Sequence, residues 1–113
     1  MLEILYYPDG QHGPVREHLT RLELERPKAF ARLTLDLEVL AVEGMRSRRI
    51  AIRPLGHKLW ELKRLHDGIQ YRIFLGTARG AAWLVHSIEK KSARTPGRDL
   101  ELARKRLKEV LDQ

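Results

Sequence analysis

Along the 113 residues the spacing of apolar positions changes three times, and each change marks a different kind of element. Residues 2–7, Leu-Glu-Ile-Leu-Tyr-Tyr, are rich in strand formers and stop at Pro8-Asp9-Gly10, a turn signal, so a first strand is predicted there. Val15, Leu19 and Leu22 then recur at helical spacing behind Pro14, a residue suited to a first helical position. Pro27 opens a second helix in which Phe30, Leu33, Leu37, Leu40 and Ala41 form one stripe, with Gly44 as its stop. The pattern next switches to strands at 59–65, 69–75 and 81–88. Asp67-Gly68 and the stretch from Gly76 to Gly80 separate them, which predicts an antiparallel meander. Helical spacing returns at Leu100, Ala103, Leu107, Val110 and Leu111, with Thr95 as the expected cap and Pro96 in the first turn. The predicted order is βααβββα: one α+β domain over residues 1–113, a four-stranded, mostly antiparallel sheet covered by helices.

Charge changes this picture. The formal net charge is +7, and residues 45–86 hold nine Lys/Arg against two acids, a surplus equal to that of the whole chain. Residues 1–44 carry eight acids against five cations, so the basic face is built from the middle and C-terminal parts. Fifteen of the 22 cations are Arg, whose planar fork binds phosphate in a bidentate way. An anionic partner is implied, and nucleic acid is the commonest. There are no cysteines, which removes disulfides and thiolate chemistry. No apolar run is long enough to span a membrane, and Met1-Leu2-Glu3-Ile4 lacks the features of a secretory signal, so a cytoplasmic location is expected.

Period-two geometry sorts the strand residues. If Trp60, Leu62, Tyr71 and Ile73 face the helices, Glu61, Lys63 and Arg72 emerge together on the opposite face, with Lys90 or Lys91 arriving at the end of the last strand. Cations around a carboxylate suit a phosphodiester whose negative charge grows in a five-coordinate transition state. RNA brings its own nucleophile, the 2′-OH, so neither a metal nor another cofactor is required. A general base and acid are still needed, and Glu61, His57, His66 and His86 are the candidates by residue type. The same pattern also fits a solvated ion pair on an exposed strand face. The basic connection Lys90-Lys91-Ser92-Ala93-Arg94-Thr95-Pro96-Gly97-Arg98 adds cations near a helix N-terminus, while Arg104, Lys105, Arg106 and Lys108 read as the wet side of the last helix.

Pro54-Leu55-Gly56-His57-Lys58-Leu59-Trp60-Glu61-Leu62, Tyr71-Arg72-Ile73-Phe74 and the run from Lys90-Lys91-Ser92 to Thr95-Pro96, with Glu101-Leu102-Ala103 behind it, resemble the phage-derived, HigB-like branch of the RelE/ParE toxin superfamily. The resemblance spans roughly residues 50–111. It implies a type II toxin that enters the ribosomal 30S A site and cuts messenger RNA, and a small helix-turn-helix antitoxin as its partner. By the same resemblance Arg72 matches the arginine that contacts the scissile phosphate, Lys63 a strand lysine, and Lys90 and Lys91 the Lys-Lys pair before the last helix. Catalytic roles are thus expected for Arg72, Lys63, Glu61 and His86, and RNA contacts for Lys58, Arg64, Lys90, Lys91, Arg94 and Arg98. Two departures stand out: Glu61 occupies a place where some relatives carry lysine, and the last tyrosine is Tyr71, so no C-terminal tyrosine can act as acid. ParE-like members share the fold and poison DNA gyrase by binding alone, and a non-catalytic RNA- or DNA-binding module needs only the charge pattern.

Overall fold

A computed structural model describes residues 1–92 and 94–113; Ala93, within the expected basic connection, lies outside them. Eight elements follow one another: β1 (Glu3–Tyr6), α1 (Pro14–Glu25), α2 (Pro27–Glu43), β2 (Ala51–Gly56), β3 (Leu59–His66), β4 (Ile69–Ala78), β5 (Ala81–Lys90) and α3 (Gly97–Leu111). The sheet therefore has five strands, in the order β1-β5-β4-β3-β2, rather than four. The additional strand is β2. Its sequence, Ala-Ile-Arg-Pro-Leu-Gly, conceals it, because a proline and a charge interrupt the alternation. Both are tolerated because β2 is an edge: Pro54 needs no outward hydrogen bond, and the register with β3 slips between Pro54 and Gly56. All pairings are antiparallel except β1 with β5.

Three of the connections are two-residue turns with positive φ at both positions: His57-Lys58, Asp67-Gly68 and Arg79-Gly80. This is the geometry whose twist matches that of the flanking strands. The predicted connection from Gly76 to Gly80 thus shrinks to its last two residues, and β4 runs on through Ala78. Gly76 is a strand residue kept small by contact: a Cβ there would sit 2.5 Å from Leu107 Cδ1 on α3.

Each face of the sheet has its own core. Val15, Leu19 and Leu22 from α1 and Leu33, Leu37 and Leu40 from α2 pack on Leu62, Tyr71, Ile73 and Leu84. On the other face Ala103, Leu107 and Val110 from α3 cover Leu59, Phe74, Val85 and Trp83. Of the predicted helical stripes, Phe30, Ala41, Leu100 and Leu111 are half-buried and the rest buried, while Ala29 and Asp36 join them inside; Trp60 and Trp83 are packing residues, with Trp83 only 8% exposed. Two expectations about α3 change. Pro96, not Thr95, precedes its first turn, and no side chain caps it. Arg104 and Arg106 are not simply wet, since Arg104 donates to the Leu55 and Gly56 carbonyls (3.0 Å each) and Arg106 to that of Val85 (3.0 Å). These bonds clamp α3 to β2 and β5, leaving Lys105 and Lys108 exposed.

Candidate functional site

α3 covers only the part of its face over Leu59, Phe74 and Val85, and the remainder is where the charges collect. Register fixes which side chains meet. Arg53 lies opposite Glu61, and Lys63 opposite Arg72, so all four share one face across β2, β3 and β4. Directly paired residues point the same way in an antiparallel ladder, which is why the period-two reading placed Glu61, Lys63 and Arg72 together.

The depth of this cluster was not anticipated. Glu61 and Arg72 are each 1% exposed, with Arg72 Nη1 donating to Glu61 Oε2 at 3.0 Å. Arg53 Nε donates to the other carboxylate oxygen at 3.0 Å, and Thr95 Oγ1 donates to Oε2 at 3.3 Å. Thr95 has therefore exchanged helix capping for a bond to Glu61. The carboxylate thereby draws donors from β2, β4 and the β5–α3 connection onto one point. A carboxylate buried this deeply survives only when its oxygens are paired in this way. Above it opens a groove of about 390 Å³ lined by Arg53, Leu55, Glu61, Arg94, Thr95 and Leu100. A second groove, of about 550 Å³, is lined by Arg48, Arg49, Lys63, Arg64, Leu65 and Gln70. One arginine-lined groove thus reaches the buried carboxylate, and a second borders Lys63, across the ladder from Arg72.

A family model described as phage-derived protein Gp49-like (DUF891) matches residues 15–108, from the start of α1 to the end of α3. The chain belongs to this Gp49-like family of RelE/ParE-like toxins. No curated protein and no solved structure matches it.

Within this Gp49-like chain the other expected site residues are scattered. Arg94 lines the groove above Glu61, while Arg98 and Lys91 are exposed beside it in sequence. Lys90 pairs with Gln70 at the far end of β5. Lys58 sits in the β2–β3 turn, at the opposite end of the sheet from Lys90. Arg64 departs furthest from expectation: it lies on the α1/α2 face, where Nε and Nη2 donate to buried Asp36 at 2.8 and 2.5 Å. The Asp36 hydrogen bond raises the Arg64 pKa above its ordinary value. This side chain ties β3 to α2 and points away from Arg72.

His86 is also removed from Glu61. It stacks on Phe74, with ring centroids 5.8 Å apart, and bonds through Nε2 to Asp99 at 2.8 Å. Glu61, Phe74 and His86 are successive cross-strand neighbours. Two strand spacings of about 4.8 Å each separate the His86 and Glu61 backbones by about 10 Å, with Phe74 on the strand between.

Arg53 is the participant the sequence reading missed, because its strand was not recognised; its register opposite Glu61 is the signal that finds it. Among the described residues no group of His, Asp and Glu could hold a metal ion. No helix there is long and apolar enough to cross a membrane.

A further polar cluster fastens α1 to β5. His18 Nδ1 meets Ser87 Oγ and its Nε2 meets Glu89, both at 2.6 Å, and Arg26 Nη1 donates to Glu89 at 2.6 Å. Burial pushes the Glu89 carboxyl upward, but the bonds from His18 and Arg26 outweigh it and hold the pKa below the ordinary value of 4.5. A carboxyl depressed on folding adds stability above its unfolded pKa and loses it as the pH falls through the folded one. The melting-temperature gap between the wild type and Glu89→Gln is therefore expected to be full above 4.5 and to close on further acidification. Thermal melts across that range check this, and a gap independent of pH would show that the ion pair contributes nothing.

Proposed function

We propose that this protein is the toxin of a type II toxin–antitoxin pair, of the HigB-like kind, and acts as a ribosome-dependent messenger RNA endonuclease. The observation that carries the reading is the convergence of Arg53 and Arg72 on the buried Glu61 carboxylate, with Lys63 on the same sheet face across the ladder from Arg72 and arginine-lined grooves beside them. Family membership supports the toxin part and an antitoxin partner.

In the proposed reaction the RNA backbone runs between the grooves, and the 2′ oxygen attacks the adjacent phosphorus. The P–O5′ bond breaks, giving a 2′,3′-cyclic phosphate and a 5′-hydroxyl. Glu61 takes the 2′ proton; Lys63, across the ladder from Arg72, supplies a proton to the leaving oxygen. The guanidinium groups of Arg72 and Arg53 stabilise the charge that accumulates on the phosphoryl oxygens. In the free protein that charge is mimicked by the Glu61 carboxylate, which already lies between the two guanidinium groups. Substrate entry then requires Thr95 and the exposed Arg53 to release Glu61, a motion at the edge strand and the β5–α3 connection, both on the surface.

The burial of Arg72 and Glu61 favours one rival: the pair is purely structural and the chain acts by binding, as ParE-like gyrase poisons do. The experiment that separates them is incubation of the purified protein with programmed ribosomes, followed by mapping of message ends. Cut messages with cyclic phosphate termini support the nuclease. Intact messages, with DNA-damage signalling on expression, would support the rival.

A further inference from the structure

Strand β5 is paired along its full length on only one side. β1 meets it over Glu3–Tyr6 against Ala81–Leu84 and then turns away, whereas β4 continues beside it as far as Lys90. From His86 to Lys90 no other strand of the described residues lies on the outer side. Alternate residues of an antiparallel strand direct N–H and C=O away from their partner, so this half of β5 presents a short row of hydrogen-bonding groups to its surroundings. It is not a bare outer edge like β2. It forms a wall of a groove of about 470 Å³ to which α1 contributes Glu17, His18 and Arg21 and α3 contributes Arg106. The bonds of His18 to Ser87 and Glu89 hold α1 and β5 in fixed relation, so the groove keeps its width.

Its charge is one-sided. Glu89 is already paired with Arg26 and hydrogen-bonded to His18. What remains at the rim is Arg21, Lys90 and Arg106 against Glu17. An incoming extended chain finds backbone partners along β5 and cations on both flanks, and acidic side chains suit the rim while basic ones are repelled.

We infer that the His86–Lys90 edge of β5 is a docking site for an extended, acidic segment of a partner polypeptide, which adds a strand in line with β1 and completes the pairing of β5. The site lies on the opposite side of Phe74 from Glu61, and the inference stands whether or not the chain cuts RNA.

The test uses the full chain and a short fluorescent peptide of alternating Glu and Val, without RNA. Saturable binding is expected, with slowed hydrogen exchange at the amides of residues 86–90. Arg21→Glu and Lys90→Glu, both at the surface rim, are each expected to weaken binding by about tenfold, as is replacing Glu with Lys in the peptide. N-methylation of alternate peptide nitrogens should abolish binding, because it removes the backbone donors. Equal affinity of the methylated peptide would mean adsorption to a basic surface and would overturn the proposal. So would protection outside residues 86–90, no binding at up to about 1 mM peptide, or single-stranded RNA protecting these amides in preference to the peptide.

Discussion

Truncation of Arg72 to alanine is expected to cost the fold about 3–5 kcal/mol, because it strands a carboxylate that folding has already removed from water. Glu61 is 1% exposed and, among the described residues, keeps Arg53 and Thr95 as partners in the variant. For a domain of this size the melting temperature should fall by roughly 10–25 °C. Replacing both members by apolar residues, Glu61→Leu with Arg72→Met, should recover much of the loss, since the penalty arises from the uncompensated charge rather than from the missing bond. Thermal unfolding of the three proteins checks this. An Arg72→Ala protein that melts within a degree or two of wild type would mean that Glu61 finds water or protonates at little cost, and the buried pair would have no structural weight. An inactive Arg72→Ala protein therefore proves nothing about chemistry until its folding has been measured.

The chemical reading is better tested at positions that leave the pair's shape intact. Glu61→Gln keeps the side-chain volume and can still accept from Arg53 or Arg72, but it cannot take a proton. If Glu61 is the general base, single-turnover cleavage of message on programmed ribosomes should fall by about 10²–10⁴-fold. Lys63→Ala should lower the rate by about 10²–10³-fold if that ammonium serves the leaving oxygen. Lys63 is only half-buried, so the second variant should fold normally. Arg72→Lys keeps the positive charge against Glu61 without the fork, and should retain more stability than activity. Near-wild-type cleavage by folded Glu61→Gln and Lys63→Ala proteins would take both residues out of the reaction.

The sequence showed the face and not the depth. Once Trp60, Leu62, Tyr71 and Ile73 are set against the helices, alternation along β3 and β4 puts Glu61, Lys63 and Arg72 on one side, and the helical stripes of α1, α2 and α3 include most of their buried residues. Whether that side is wet depends on what crosses it. Here the β5–α3 connection brings Thr95 over Glu61, a contact between residues far apart in the chain that no local pattern announces. Arg64 misled for a related reason: its position two residues beyond Leu62 assigned it to the helix-covered face, yet an arginine reads as a surface cation until its partner is known. Asp36 lies within the apolar stripe of α2 and was the available hint, since an acid among core positions needs a cation nearby. β2 escaped notice because its proline and its exposed pattern belong to an edge strand, where local propensity is weakest as a guide.

The parallel pairing of β1 with β5 bears on how the chain reaches this structure. β2 to β5 are sequential neighbours joined by two-residue turns, so they can zip together with little loss of chain freedom. β1 must wait. Glu3 pairs with Ala81, and closing that loop costs entropy that is repaid only after β5 is in place. β1 precedes the other strands in the chain and is thus the last to be seated, and until then β5 is bare along its whole outer edge. Pulsed hydrogen exchange during refolding should show β3 to β5 protected before β1; simultaneous protection of all the strands would mean that the sheet assembles in a single step.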